Sequence, residues 1–334
     1  MVNDKTGFSL WVDFIERDFI KTTLKELIKD NIVDGATSNP SIFANAIIKS
    51  NAYKEQLEEL KEKSAKEKYE ALAVKDIKSA ARVLSICYNT GFEGYVSIEV
   101  DPYLSNDAKG TIEEGKRLFK EIGEPNVMIK VPATEAGYIA MEELTKLGIS
   151  VNATLIFSPQ QAIKSKEALS KGINEFISFS DEGRVEGVIS IFVSRFDRKL
   201  DSKLEEYGIA KAKTGILNAA KIYNIIMKDK HPSIKPLFAS TGVKENQGLE
   251  ADYYITNLVA PHSINTAPID TIKAYEANPN KGKLALPIDD NIIDKHFEKL
   301  SEANINMDSV YEELMSEGLK AFEDAFSSMI KDIE

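Results

Sequence analysis

A lysine stands in the middle of an apolar run. In Asn126-Val127-Met128-Ile129-Lys130-Val131-Pro132-Ala133-Thr134 a turn-prone Pro125-Asn126 leads in and Pro132 closes, which predicts a short buried strand. Burying an ammonium is costly and favours the neutral amine. A neutral lysine amine attacks carbonyl carbons, the first step of Schiff-base catalysis. The plain alternative is that Lys130 pairs with a carboxylate or reaches back to solvent. Other polar residues interrupt the remaining apolar runs in the same way: Asp13, Asn39, Glu99, Asn152, Thr154, Ser190, Arg195 and Lys244.

Those residues need a scaffold that brings separate runs together. Strands are expected at residues 8–13, 32–40, 94–102, 126–134, 149–157, 188–193 and 236–240, with an eighth at 254–259. Between them lie stretches with helical spacing, among them 15–29, 74–88, 106–122, 135–147, 218–227 and a helix opened by Ser158-Pro159. Ser41 is a candidate cap for the helix after the second strand. Residues 51–74 carry Glu and Lys at helical spacing and read as a solvated helix face. Strand–helix alternation implies parallel strands with helical crossovers, and eight such units predict a closed (β/α)8 TIM barrel of class α/β. An open doubly wound sheet would more often show a glycine-rich turn after the first strand, and Trp11-Val12-Asp13-Phe14-Ile15 has none. The expectation is one barrel domain over residues 1–334, with further helices at about 289–334 packed on the outside.

In a barrel the strand ends converge on one axis. Lys130 would then face two carboxylates, Asp13 and Glu99, together with amides and hydroxyls. Aldol chemistry through an imine needs this set: an amine to attack a ketone, an acid/base to expel water, and a base to take the proton of the hydroxyl whose carbon–carbon bond breaks. Asn and Ser side chains suit a polyol, and Arg195, with Lys244 near it, suits a terminal phosphate. Each residue has a plainer reading beside this one. Asp13 and Glu99 could be ion-pair partners of Lys130, Asn39 before Pro40 a turn former, Thr154 a comfortable strand residue, Ser190 a packing residue, and Arg195 a surface helix residue.

Composition narrows the field. The chain has 334 residues, 43% hydrophobic and 28% charged, an ordinary balance for a globular protein. A net charge of −11 argues against broad binding of nucleic acid or anionic membrane, but not against one phosphate in a local cationic pocket. The one cysteine, Cys87, lies in an apolar helical run, reads as a buried structural thiol and fits a reducing, cytoplasmic setting. His231, His262 and His296 have no ligand-like spacing, so no metal site is expected. The first ten residues lack a basic stretch followed by an apolar core, and no apolar run approaches roughly 18 residues. Neither a signal peptide nor a membrane span is predicted.

Five motifs, in order, carry a resemblance: Gly35-Ala36-Thr37-Ser38-Asn39-Pro40-Ser41-Ile42, Val96-Ser97-Ile98-Glu99-Val100-Asp101, Ile129-Lys130-Val131-Pro132-Ala133-Thr134, Asn152-Ala153-Thr154-Leu155-Ile156-Phe157-Ser158 and Ile189-Ser190-Ile191-Phe192-Val193-Ser194-Arg195. Across essentially its whole length the chain resembles the transaldolases of the longer type. The resemblance implies a class I aldolase barrel whose Schiff-base lysine, Lys130, lies on the fourth strand. It implies transfer of a dihydroxyacetone unit from sedoheptulose 7-phosphate to glyceraldehyde 3-phosphate in the non-oxidative pentose phosphate pathway, with no cofactor and a homodimeric assembly. By motif, Asp13 becomes the acid/base for carbon–carbon cleavage, Glu99 and Thr154 the holders of a catalytic water, and Asn39, Asn152 and Ser190 the ligands of the dihydroxyacetone unit. Arg195 becomes the phosphate ligand. Phe192 stands where related aldolases tend to carry a tyrosine, which favours a water-poor transferase. One departure is visible. Many transaldolases place an arginine just after the Ala-Ser of the seventh strand; here Thr241-Gly242-Val243-Lys244 follows, with Lys244 as the candidate substitute. The alternatives are a fructose 6-phosphate aldolase that releases free dihydroxyacetone, and an inactive barrel that only binds sugar phosphates.

Overall fold

A computed structural model describes residues 6–91, 93–180, 183–244 and 247–334. Eight strands close into a parallel barrel in sequence order: β1 Ser9–Val12, β2 Gly35–Ala36, β3 Val96–Glu99, β4 Val127–Pro132, β5 Ser150–Ile156, β6 Gly187–Phe192, β7 Ile234–Ala239 and β8 Ile264–Ala267. β8 pairs with β1 to complete the ring. Apart from Lys235 every strand residue is buried, because helices cover the outer face while side chains fill the inner one. The expected barrel is therefore observed.

The eighth strand lies elsewhere than the sequence predicts. Residues 254–259 start within helix α11, Tyr253–Thr256, and the strand that closes the ring is Ile264–Ala267. Tyr254, Ile255, Leu258 and Val259 are all buried at a spacing that serves a helical turn as well as a strand, so the pattern alone cannot separate them. The true β8 reads Ile-Asn-Thr-Ala and looks too polar, yet it has polar partners inside the barrel: Thr241 Oγ1 donates to Asn265 Oδ1 at 2.9 Å and Thr266 Oγ1 lies 2.7 Å from Thr37 Oγ1, while Asn265 Nδ2 is buried without a partner among the described residues. Four smaller differences are local. The helix expected at 15–29 is two, α1 Arg17–Lys21 and α2 Thr23–Lys29, and the charged stretch from 51 is broken into a short turn, α4 Lys54–Glu59 and the start of α5 Ala65–Asn89. The helix after β2, α3 Pro40–Lys49, is capped by Asn39 rather than Ser41, with Ile42 N–H donating to Asn39 Oδ1 at 3.1 Å and Pro40 in the first turn. Cys87 is half-buried rather than enclosed, and burial pushes its thiol up to about 11.

The remaining helices that matter here are α6 Ala108–Ile122, α7 Glu135–Lys146, α8 Pro159–Phe179, α9 Ser194–Glu206, α10 Thr214–Lys228, α12 Ile269–Ala277, α13 Asp290–Glu302 and α14 Met307–Ile333. Helix α14 buries Val310, Leu314, Gly318, Phe322, Phe326, Met329 and Ile333, one face at a spacing of three or four. That face lies outside the sheet, as expected, but across the barrel mouth rather than along its wall. Tyr311 Oη donates to Asn218 Oδ1 of α10 at 2.9 Å, Lys199 of α9 pairs with Glu313 and Glu317 at 2.7 Å each, and Phe326 meets Tyr69 of α5 edge-on. A Cβ on Gly318 would stand 3.0 Å from Leu155 and 3.3 Å from the Arg195 guanidinium, so a glycine is what lets the helix lie this close.

The other end of the barrel holds a charge cluster in which Glu93 is buried and Asp34 and Lys235 are half-buried. Ser9 Oγ donates to Asp34 Oδ2 at 2.9 Å, and Lys235 pairs with Glu93 beside it. Burial, reinforced by repulsion from Glu93, raises Asp34 from 3.8 to about 7. The folded chain thus holds this proton more tightly than the unfolded chain. The penalty is absent below pH about 4, grows as the unfolded carboxyl ionises, and is complete above about 7. Asp34→Asn is expected to leave the melting temperature unchanged near pH 4 and to raise stability at pH 8, by an amount on the order of a few kcal/mol. Thermal melts of both proteins across that range test it; an equal shift at every pH would defeat it.

Candidate active site

Register places the chemistry. Glu99 on β3 is aligned with Lys130 on β4, which is aligned with Asn152 on β5. Side chains in register on parallel strands point the same way, so all three turn inward at one level. Lys130 is only 5% exposed; its Nζ donates to Ser38 O at 3.2 Å and stands 3.6 Å from Glu99 Oε2. Burial pushes the Glu99 carboxyl up to about 7, with Lys130 pulling against that. Glu99 Oε2 and Thr154 Oγ1 are both buried without a hydrogen-bond partner among the described residues.

Asp13 follows β1, and its backbone N–H donates to Ala267 O of β8 at 2.8 Å. Thr37 Oγ1 donates to Asp13 Oδ1 at 2.6 Å and lies 2.7 Å from Thr266 Oγ1. Burial raises the Asp13 carboxyl, while Lys130 and then the Thr37 hydrogen bond lower it. Asp13 and Glu99 repel each other across Lys130, so one lysine faces two carboxyls that do not ionise freely together.

Arg195 sits in the first turn of α9, just past β6. Its guanidinium lies 5.1 Å from the centre of the Phe192 ring and 6.0 Å from that of Phe157. It has no ion-pair partner among the described residues, and burial lowers its pKa. Two strand-end residues hold left-handed backbone, Leu155 at φ 58° and Ser240 at φ 55°. Leu155 lies in the register shift between β5 and β6, a bulge of the kind that re-aims side chains near barrel mouths.

These residues enclose one cavity of about 130 Å³ at the C-terminal mouth. Of the residues singled out in the sequence, Asp13, Asn39, Lys130, Thr154, Ser190, Phe192 and Arg195 line it. Glu99 stands just behind, in contact with Lys130. Asn152 is fully buried and off the lining: its amide donates to Ser97 Oγ at 3.1 Å and its Oδ1 accepts from Ser190 Oγ at 2.6 Å. It thereby orients Ser190, which does reach the cavity. Lys244 is exposed on the loop after β7 and off the lining. Thr37, Ser240, Thr266 and Phe322 also line the cavity and were not singled out. Thr37 stands inside a motif already noted, and the hydroxyl at a strand end was the signal for it. Phe322 had none beyond its place on an amphipathic helix.

The arrangement can carry imine chemistry: a buried amine, a carboxyl of near-neutral affinity beside it, a second carboxyl held by a threonine, hydroxyls for a polyol and an unpaired guanidinium for an anion. Among the described residues no group of three or more His, Cys, Asp or Glu side chains is placed to hold a metal ion, and no described helix is long and apolar enough to cross a membrane. The model of the Transaldolase/Fructose-6-phosphate aldolase family matches residues 10–333. The chain belongs to this family. Among its curated relatives, a transaldolase of Helicobacter pylori (strain Shi470) is 44% identical over 324 residues, covering 97% of this chain and 98% of the relative. A transaldolase of Campylobacter jejuni (strain RM1221) is 43% identical over 336 residues, covering 97% and 99%. One of C. jejuni subsp. doylei is 43% identical over 331 residues with the same coverage. Every residue lining the cavity, Phe322 of the last helix included, falls inside the span matched to the transaldolase/aldolase family.

Proposed function

We propose that the chain is a transaldolase, a transferase that moves a dihydroxyacetone unit from sedoheptulose 7-phosphate to glyceraldehyde 3-phosphate, giving erythrose 4-phosphate and fructose 6-phosphate in the non-oxidative pentose phosphate pathway. The observation that supports it most is Lys130 Nζ in the cavity with Glu99 at 3.6 Å and the Asp13–Thr37 pair on the same lining. In this reading Lys130 attacks the ketone carbon and forms the carbinolamine. Water leaves with a proton supplied through Glu99, and Thr154 helps hold that water; their unpartnered oxygens support this role. Asp13 takes the proton of the hydroxyl on the carbon beyond the bond that breaks. The protonated imine accepts the electron pair of that bond, the aldose phosphate leaves, and an enamine remains on Lys130. The enamine carbon attacks the incoming aldehyde, Asp13 returns its proton to the new hydroxyl, and water releases the ketose. The iminium is the electron sink, so the scheme calls for no cofactor.

Asn39 and Ser190 bind the hydroxyls of the dihydroxyacetone unit, with Asn152 acting through Ser190. Phe192 gives the site an apolar wall, backed by the buried Phe157, which favours transfer over release. Arg195 holds the sugar phosphate, and Lys244 contributes from the rim as a screened point charge. The decisive assay supplies fructose 6-phosphate and erythrose 4-phosphate and follows sedoheptulose 7-phosphate; no product from folded enzyme would sink the proposal. Arg195→Ala is expected to raise KM for glyceraldehyde 3-phosphate by about 100-fold. It should leave unphosphorylated glyceraldehyde nearly unaffected. Lys244→Ala should cost only a few-fold, and less at high salt. Equal losses for both acceptors in Arg195→Ala would remove the phosphate role. The reading carries with it a cytoplasmic homodimer of barrel domains with α13 and α14 as the C-terminal extension, which light scattering of the purified chain tests for assembly.

A further inference from the structure

The enamine that a transaldolase leaves on its lysine has two fates. Carbon attack on an aldehyde completes the transfer. Protonation followed by water addition at the imine carbon gives a carbinolamine; its carbon–nitrogen bond then breaks to free dihydroxyacetone and regenerate the amine. Which fate prevails depends on what stands around Lys130 Nζ. On one side are polar groups, Glu99 and Ser38 O. On the side of α14 stands Phe322, whose ring centre lies 5.6 Å from Nζ and which lines the cavity while itself only 6% exposed.

The ring is held by a long helix and not by a loop. Helix α14 runs for 27 residues and is tied down on both sides of Phe322. Before it come the Tyr311–Asn218 hydrogen bond and the Lys199 pairs with Glu313 and Glu317. After it come Phe326, packed edge-on against Tyr69 and Tyr103, and Lys68 Nζ, which donates to Ile333 O at 3.4 Å. An aromatic face tolerates a cation such as the iminium but offers no lone pair or proton to order water. A fixed ring there therefore favours the charged intermediate and withholds a water site.

We propose that Phe322 is a specificity-determining residue: its ring keeps water off the Lys130 imine on the side of α14, so that the three-carbon unit passes to an aldehyde. The inference rests on the transaldolase reading. Phe192 walls the phosphate side, with Phe157 packed against it, whereas Phe322 walls the nucleophile itself.

The test compares two rates in one enzyme. Fructose 6-phosphate alone gives the rate of dihydroxyacetone release, and fructose 6-phosphate with erythrose 4-phosphate gives the rate of transfer. Phe322→Ala is expected to raise the release-to-transfer ratio by about tenfold or more, and Phe322→Leu by a smaller factor. Phe326→Leu, one turn further along the same buried face, should lower the melting temperature and leave the ratio where it is. Equal loss of both rates in the folded Phe322 variants, with an unchanged ratio, would overturn the proposal and leave Phe322 a packing residue. The same shift in Phe326→Leu would also overturn it. Wild-type enzyme that transfers well beside variants with an unchanged ratio defeats only this inference; wild-type enzyme that releases dihydroxyacetone but does not transfer defeats the transaldolase reading and this inference together.

Discussion

Lys130→Met is expected to abolish transfer, lowering kcat at least about 10⁴-fold. The reason is chemical: in the proposed scheme there is no covalent intermediate without the amine, and among the described residues lining the cavity no other amine stands ready to attack a ketone. Methionine suits the site because it is unbranched, of similar length and apolar, and Lys130 is only 5% exposed. Removing one member of a buried ion pair normally strands the other charge. Here the stranded groups are Glu99 and Asp13, whose carboxyls are both raised by burial; losing Lys130 moves both higher, and they take up protons instead of burying bare charges. The variant is therefore expected to fold. Borohydride reduction with fructose 6-phosphate should add a three-carbon unit to wild-type Lys130 and nothing to Lys130→Met. An adduct on another lysine, or activity persisting in the variant, would remove the mechanism.

Asp13→Asn should separate the two halves of the reaction. In the proposed scheme imine formation needs Lys130 and a proton near Glu99, while carbon–carbon cleavage needs a base at Asp13. The amide keeps an oxygen to accept from Thr37 Oγ1, which now holds Asp13 at 2.6 Å, so the geometry survives while the basicity does not. The expected loss in kcat is about 10²- to 10⁴-fold. The sharper sign is in the trapped species. With fructose 6-phosphate and borohydride, the variant should accumulate an adduct of the whole hexose phosphate on Lys130, because the imine forms but does not cleave. A three-carbon adduct at the wild-type rate would take the acid/base role away from Asp13. No adduct at all in a folded variant would place Asp13 in imine formation.

Both variants concern residues that stand out in the linear chain. A charged group inside an apolar strand pattern conflicts with burial unless something answers it, and Asp13, Glu99 and Lys130 each show that conflict. So do the hydroxyls of Thr154 and Ser190 and the guanidinium of Arg195 at strand ends. The period of the strands and helices is local, and parallel connections through helices restrict the topology, so the closed barrel was legible as well. Convergence of these residues on one mouth follows from the barrel, and the cavity formed by seven of the ten residues singled out reflects that.

The tertiary structure decided what depends on distant packing. Whether residues 254–259 or Ile264–Ala267 close the ring turned on which segment pairs with both β1 and β7, not on apolar content. Asn39 rather than Ser41 caps α3 because the extended backbone at Asn39 points its side chain at the first free N–H groups. Asn152 faces inward with Lys130 and Glu99, yet its two hydrogen bonds to Ser97 and Ser190 use it up behind the lining. Lys244 is left on an exposed loop. Phe322 comes from the last helix, and its helical spacing says only that one face is buried. Against what it is buried depends on the shape of the barrel mouth, on Gly318 and on anchors from α5, α9 and α10. The candidates for the reactive groups thus stand out in the sequence through the physics of burying charge, while the wall opposite Lys130 was set by a sum of long-range contacts that no local pattern carries.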